Sequence, residues 1–180
     1  PPQDPDLEPI VNLGMPTVMI GGAIPGVDCY VIDDVAAARK ATEYLVSLGH
    51  SKIALISGKS AAARLTAGSQ RERGYRSVIA EFALVEDPML AVSGHFTIEG
   101  GENGMDALLN QPNPPTAVFA MSDEMAFGAI RSLRAHGLEP GRDVSIIGID
   151  DHPMSSYLGL TTIAQPVADL GKKAGECLLE

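Results

Sequence analysis

Ser122-Asp123-Glu124 and Asp150-Asp151 are two places where this sequence sets acceptor side chains directly after a short apolar run. The runs are Ala117-Val118-Phe119-Ala120-Met121 and Val144 to Ile149. Both are too short for a buried helix and read as buried strands of a parallel sheet. Ligands of open α/β sheets collect beyond the carboxyl ends of the strands, so acceptors there mark a binding crevice. Asp123 has a second reading, as the N-cap of the helix that follows. Asp150 has no comparable local role. Arg71 sits among Glu72, Arg73 and Arg76. Its planar fork could donate parallel hydrogen bonds to ligand oxygens, or it could simply open a helix in solvent. Phe96, in Gly94-His95-Phe96, offers a ring to the apolar face of a sugar or to a purine, with core packing as the competing role. His95 and His152 could in principle move protons, yet nothing nucleophilic accompanies them. Covalent chemistry is not expected, and the chain does not read as an enzyme.

Two other patterns fail on spacing. Ser57-Gly58-Lys59-Ser60 resembles the end of a phosphate-binding loop, but the leading glycine would be residue 53, which is Ile. The next helix also starts too late after Lys59. Val144 to Asp150 looks like the strand that partners such a loop, and it means little without one. A Rossmann-like enzyme would need a Gly-rich loop directly after a strand, and none is present. Cys29 and Cys177 form no metal or redox motif, so no metal or cofactor is expected.

The elements that must position these residues alternate. Between the two strands, Met125, Ala129, Ile130 and Leu133 recur on one helical face, with Arg131, Arg134 and His136 in the last turn and Gly137 as the stop. Upstream, strands are expected at Thr17–Ile20, Cys29–Ile32, Ile53–Ile56 and Leu90–Ser93, and downstream at Thr161–Ile163. One helix should run from Asp33-Asp34 to about Leu48, burying Val35, Ala38, Thr42, Leu45 and Val46. A second should cover roughly Arg71 to Ala83 and bury Tyr75, Val78, Ile79 and Phe82, after a long loop from Ser57 to Ser69. A third spans about Ile98 to Leu109. The last begins near Val167, with Leu170, Ala174, Cys177 and Leu178 on one face. An irregular stretch should fill Asp151 to Gly159, and residues 1–9 should be loose. Such alternation makes the class α/β with a parallel sheet.

Composition narrows the function. The net charge is −10 and the pI near 4.7, which argues against this segment gripping phosphates itself. Tryptophan is absent and aromatics are 4% of residues, so the core must be aliphatic and any aromatic at a strand exit is noticeable. No stretch is long enough to span a bilayer. Two isolated thiols suit a reducing cytosol, where both stay reduced.

Four blocks carry a family resemblance. They are Leu48 to Gly58 (L-G-H-x-x-I-A-x-I-x-G), Pro115 to Gly128 (P-x-A-x-x-x-x-S-D-x-x-A-x-G), Asp143 to Asp151 (D-x-S-x-x-G-x-D-D) and Leu160 to Pro166 (L-T-T-I-x-Q-P). Together and in this order they resemble the effector-binding core of LacI/GalR-type transcriptional regulators. The resemblance implies a periplasmic-binding-protein-like type I fold of two doubly wound parallel-sheet lobes. Residues 1–32 would be the tail of the first lobe, 33–160 the second lobe, and 161–180 a crossing strand and helix returning to the first. The first lobe would be incomplete, and its exposed apolar strand edges would make the 180-residue chain poorly soluble in isolation.

It further implies that Arg71, three residues before Gly74-Tyr75, contacts the effector, and that Phe96 stacks on it. Ser122, Asp150 and Gln165 would line the same crevice between the lobes, with Gln165 at the crossing. Asp151 would brace the loop. The partners would be a small effector, a sugar or related metabolite, and operator DNA reached through a headpiece outside this chain. The family resembled works in the cytoplasm as a homodimer, usually as a repressor. A periplasmic sugar-binding protein of a transporter is the alternative, since it shares the architecture and pocket chemistry. Two departures stand out. Gly21-Gly22 occupies a place where the family often has an acid, and the loop after Ser57 looks longer than usual.

Overall fold

The computed structural model describes residues 15–22, 26–58 and 67–179. Expectations for residues 1–9, and for most of the loop from Ser57 to Ser69 with Lys59 and Ser60, lie outside them. Among the described residues seven strands occur, alternating with helices from the second strand onward, and the chain divides into two compact units.

The smaller unit takes Pro1–Asp33, Leu65–Ala67 and Pro166–Glu180. In it β1 (Val18–Ile20) and β2 (Asp28–Tyr30) pair in parallel, Met19 opposite Cys29. The last helix, Val167–Leu179, packs on both strands and buries Ala174. Leu170 and Cys177 are half-buried, and Leu178 faces solvent. Cys177 Sγ lies 3.6 Å from Asp28 Oδ2, and Cys29 and Cys177 form no disulfide.

The larger unit, Asp34–Arg64 with Gly68–Gln165, holds a five-stranded parallel sheet. Its strands are β3 (Ile53–Ser57), β4 (Ala91–Ser93), β5 (Ala117–Ala120), β6 (Ser145–Asp150) and β7 (Thr161–Ala164), in spatial order β4-β3-β5-β6-β7. β3 and β5 are buried at every residue, as helix layers on both faces require. The helices are α1 (Asp34–Ser47), α2 (Ala67–Glu81), α3 (Ile98–Leu109), α4 (Asp123–Ala135), the short α5 (Met154–Leu158) and α6 (Val167–Leu179) described above. α3 and α4 pack on each other and against β3 to β6. α1 lies against β5 to β7, and α2 stands beside it, with Tyr75 6.5 Å from the Phe119 ring. Ala38, Leu45, Ile56, Met105, Phe119, Met125, Leu133 and Ile147 are among the buried core residues.

Several boundaries move. α2 starts four residues before Arg71, which places Arg71 one turn inside the helix. Phe82 follows the end of that helix and is 48% exposed, not buried. Val35 and Val46 sit at the margins of the buried face of α1, where Ala41 joins Ala38, Thr42 and Leu45. Leu90 belongs to a 3₁₀ turn capped by Asp87, so β4 begins at Ala91. The stretch expected to be irregular holds α5. β7, expected to cross to the first lobe, pairs with β6 instead, Ile149 opposite Ile163. The change of unit comes at Gln165/Pro166, where proline has no N–H to continue a ladder.

Candidate functional site

The sheet order places a topological switch between β3 and β5. From β3 the chain winds outward to β4, and from β5 it winds the other way to β6 and β7. Doubly wound sheets bind ligands beyond the carboxyl ends of strands at such a point. Here those ends are Ser57-Gly58, Met121-Ser122 and Asp150.

Arg71 reaches this place from α2 and is 4% exposed, which excludes the solvated helix start that its neighbours suggested. A buried guanidinium must be paired. Its Nε donates to Asp34 Oδ1 at 2.8 Å, and its Nη1 donates to the Met121 carbonyl oxygen at the end of β5. The same Nη1 stands 3.9 Å from Asp150 Oδ1.

Asp150 closes the arrangement from β6. Its carboxylate is about one-third exposed, and Gln165 Nε2 donates to Oδ1. Burial pushes the Asp150 carboxyl above the ordinary range; the Arg71 charge opposes the rise and the Asp123 charge adds to it. Its backbone φ is 138°, a region that side chains rarely adopt, and Asp151 follows at 57°. Strain of this kind persists only where surrounding contacts over-determine it. Asp34 and Gln165 are the first and last residues of the larger unit, so both of its chain ends join the Arg71–Asp150 network.

Ser122 caps α4: its Oγ accepts from Met125 N–H at 3.3 Å. The cap reading of Asp123 is therefore wrong. Its side chain is 0% exposed and accepts from His152 N–H, Ser155 Oγ–H and Thr162 Oγ1–H. Phe96 follows His95 at the exit of β4, with φ of 55° and 53° respectively. Its ring lies so close over Gly58 that a Cβ there would overlap it, while 36% of the residue remains exposed. Gly58 N–H in turn approaches Met121 Sδ at 3.4 Å. A hydrogen bond thus joins Gln165 to Asp150, and Arg71 stands at ion-pair distance from the same carboxylate. Ser122 is placed by its neighbour Met121, and Phe96 by Gly58.

The rings of His95 and His152 have local partners: His95 Nδ1 lies 3.5 Å from Ser93 Oγ. His152 Nδ1 accepts from Met154 N–H at 3.1 Å, and its ring meets Phe127 edge-on. Among the described residues no group of His, Cys, Asp and Glu could hold a metal ion, and no helix is long and apolar enough to cross a membrane.

Comparison with known proteins gives this geometry a family. Residues 42–180 match the periplasmic binding protein-like domain. The chain belongs to that family, in its LacI/GalR branch. It is 40% identical over 142 residues to the ribose operon repressor of Haemophilus influenzae, covering 78% of this chain and 42% of that protein. A regulatory protein of the LacI family from Chloroflexus aggregans superposes with a TM-score of 0.87 at 33% identity, covering 98% of this chain and 64% of the other. The transcriptional regulator CelR in complex with cellobiose superposes at 0.80 with 32% identity, covering 89% and 50%. The chain spans less than half the length of the curated relatives it matches.

Asp34 was read only as a helix cap and Asp123 as either a crevice acceptor or a cap; the bonds each makes were not legible, because their partners lie 37 and 29 to 39 residues away. A usable signal existed for Asp34: once Arg71 is taken into the interior, a buried acid is required.

Proposed function

We propose that this chain is the effector-sensing core of a DNA-binding transcriptional regulator, most simply a repressor, whose effector is a sugar or related polyhydroxy metabolite. The observation that carries the reading is the buried Arg71, held by Asp34 and Met121 near a one-third-exposed Asp150 at the switch point. Asp150 accepts from ligand hydroxyls. Arg71 supplies the positive charge that faces ligand oxygens, with its Nε and one Nη1 N–H already engaged by Asp34 and Met121. Phe96 lays its exposed ring on the apolar face of the sugar. Ser122 and Gln165 complete the network. No bond is made or broken.

Regulation follows from linkage. An effector that binds one arrangement of the core better than another shifts operator affinity, and about 1–3 kcal/mol of coupling suffices. DNA would be held by a basic headpiece outside this acidic chain, in a cytoplasmic homodimer whose two-fold symmetry matches paired half-sites. A transporter's binding protein shares the fold, but repressors and regulators are what the chain is similar to, and one of them is seen with cellobiose.

The test is a thermal-shift panel of D-ribose, D-glucose, cellobiose, nucleosides and sugar phosphates. A ligand at ~100 times its dissociation constant adds about 2.7 kcal/mol of stability. A sugar that stabilises the wild type but not Asp150→Ala supports the reading; equal stabilisation of both overturns the site.

A further inference from the structure

The least exposed acid near the site is not one that faces it. Asp123 is 0% exposed, and each of its oxygens is committed. Oδ2 accepts from His152 N–H at 2.8 Å and Ser155 Oγ–H at 2.7 Å, and Oδ1 accepts from Thr162 Oγ1–H at 2.6 Å. Oδ1 also rests on Gly148 so closely that a Cβ at that position would collide with it. The donors belong to three segments: the turn after β6, the start of α5, and β7. Thr162 does double duty, since its Oγ1 accepts from Asp151 N–H at 3.2 Å. The carboxylate thus grips both sides of the turn in which Asp150 and Asp151 adopt φ of 138° and 57°.

Burying a carboxylate is costly unless every lone pair is used. A helix start needs no such residue here, because Ser122 already caps α4. What the burial secures is the strained turn. The geometry points to Asp123 as a positioning residue for effector recognition: by binding His152, Ser155 and Thr162 it holds the 150–152 turn in the conformation that presents the Asp150 carboxylate beside Arg71. This rests on the sugar-sensing reading for its purpose. The positioning itself is measurable without any ligand.

The experiment is residue-resolved hydrogen exchange on the intact chain, read at the Asp151 and His152 amides, whose acceptors are Thr162 Oγ1 and Asp123 Oδ2. Asp123→Ala should speed exchange of both amides roughly ten-fold or more beyond any change in β3 and β5. Asp123→Asn, which keeps the shape and one carbonyl acceptor, should restore most of the protection. Thr162→Val serves where the alanine variant does not fold, and should release the Asp151 amide in the same local way. Affinities for D-ribose, D-glucose and cellobiose are then measured. Any of these that binds the wild type should bind Asp123→Ala about ten-fold or more weakly, and Asp123→Asn nearly as well as wild type. Uniform loss of protection across β3, β5 and the turn would reduce Asp123 to a fold residue and overturn the proposal. So would an opened turn with unchanged sugar affinity. If none of the three sugars binds the wild type, the sugar reading fails by itself, and the exchange pattern still decides whether Asp123 holds the turn.

Discussion

The two ends of the five-stranded sheet are built from opposite materials. At the amino ends, a recess of about 190 Å³ is lined by Tyr44, Leu45, Leu48, Ile130, Ile146 and Leu160, with no charged side chain among its walls. Polar groups nearby satisfy one another: His50 bonds Thr116 Oγ1 and Ser145 Oγ, each at 2.9 Å. At the carboxyl ends the chain concentrates Arg71, Asp34, Asp123 and Asp150. Four of the five non-glycine residues with positive φ among the described residues, His95, Phe96, Asp150 and Asp151, are there as well. The amino end offers an apolar recess. Buried charge and backbone strain favour the other, because both are costly and persist where they serve recognition.

Breaking the carboxyl end should therefore cost most. Arg71→Ala leaves Asp34, almost as buried as the arginine, without its partner, and should destabilise by about 3–5 kcal/mol in urea unfolding while abolishing sugar stabilisation. Phe96→Ala removes a stacking face and should weaken sugar binding by ~0.5–1.5 kcal/mol in calorimetry, with little change in melting temperature. Asp150→Asn separates recognition from stability: sugar stabilisation should fall sharply, while folding stability at pH 7 stays within about 0.5 kcal/mol of wild type or rises. The sign follows from its raised carboxyl. The folded state holds that proton more tightly than the unfolded one, so wild-type stability from this group is greatest below the ordinary carboxylate range and declines as pH rises through the folded value. Any advantage of Asp150→Asn should accordingly vanish on acidification.

At the amino end the effects should be small and ligand-independent. Desolvation lowers the proton affinity of His50, so its contribution is present above the ordinary histidine value and is lost as pH falls through the folded one. His50→Gln should change stability by no more than about 0.5 kcal/mol near pH 8, less at pH 5, and leave sugar binding intact.

The sequence shows unequal amounts of this contrast. Strand and helix order was legible because buried parallel strands are continuous apolar runs and α4 carries a clean helical face, ending at Gly137 with φ of 73°. Asp150 was legible because nothing local explained it. Arg71 was ambiguous: its neighbours Glu72, Arg73 and Arg76 look like a solvated surface, and only a helix start at Ala67 carries Arg71 inward. The capping roles of Ser122 and Asp123 could not be separated by spacing, since either residue can cap α4. The separation depends on Ser155 and Thr162, brought in by α5 and β7. Long-range pairing also decided β7. Its residues suit either sheet, and the register with β6 is a property of the fold rather than of the segment.

One measurement weighs the two ends against each other directly. Amide shifts of the chain are followed by NMR while cellobiose, D-glucose and D-ribose are titrated in turn. The sugar that binds should move Gly58, Phe96, Ser122, Asp150, Asp151 and Gln165, and leave Leu48, Gly141 and Ser145 where they are. Shifts confined to Leu48, Gly141, Ser145 and Leu160 would place the ligand in the amino-end recess and contradict the assignment of the charged, strained end as the sensor.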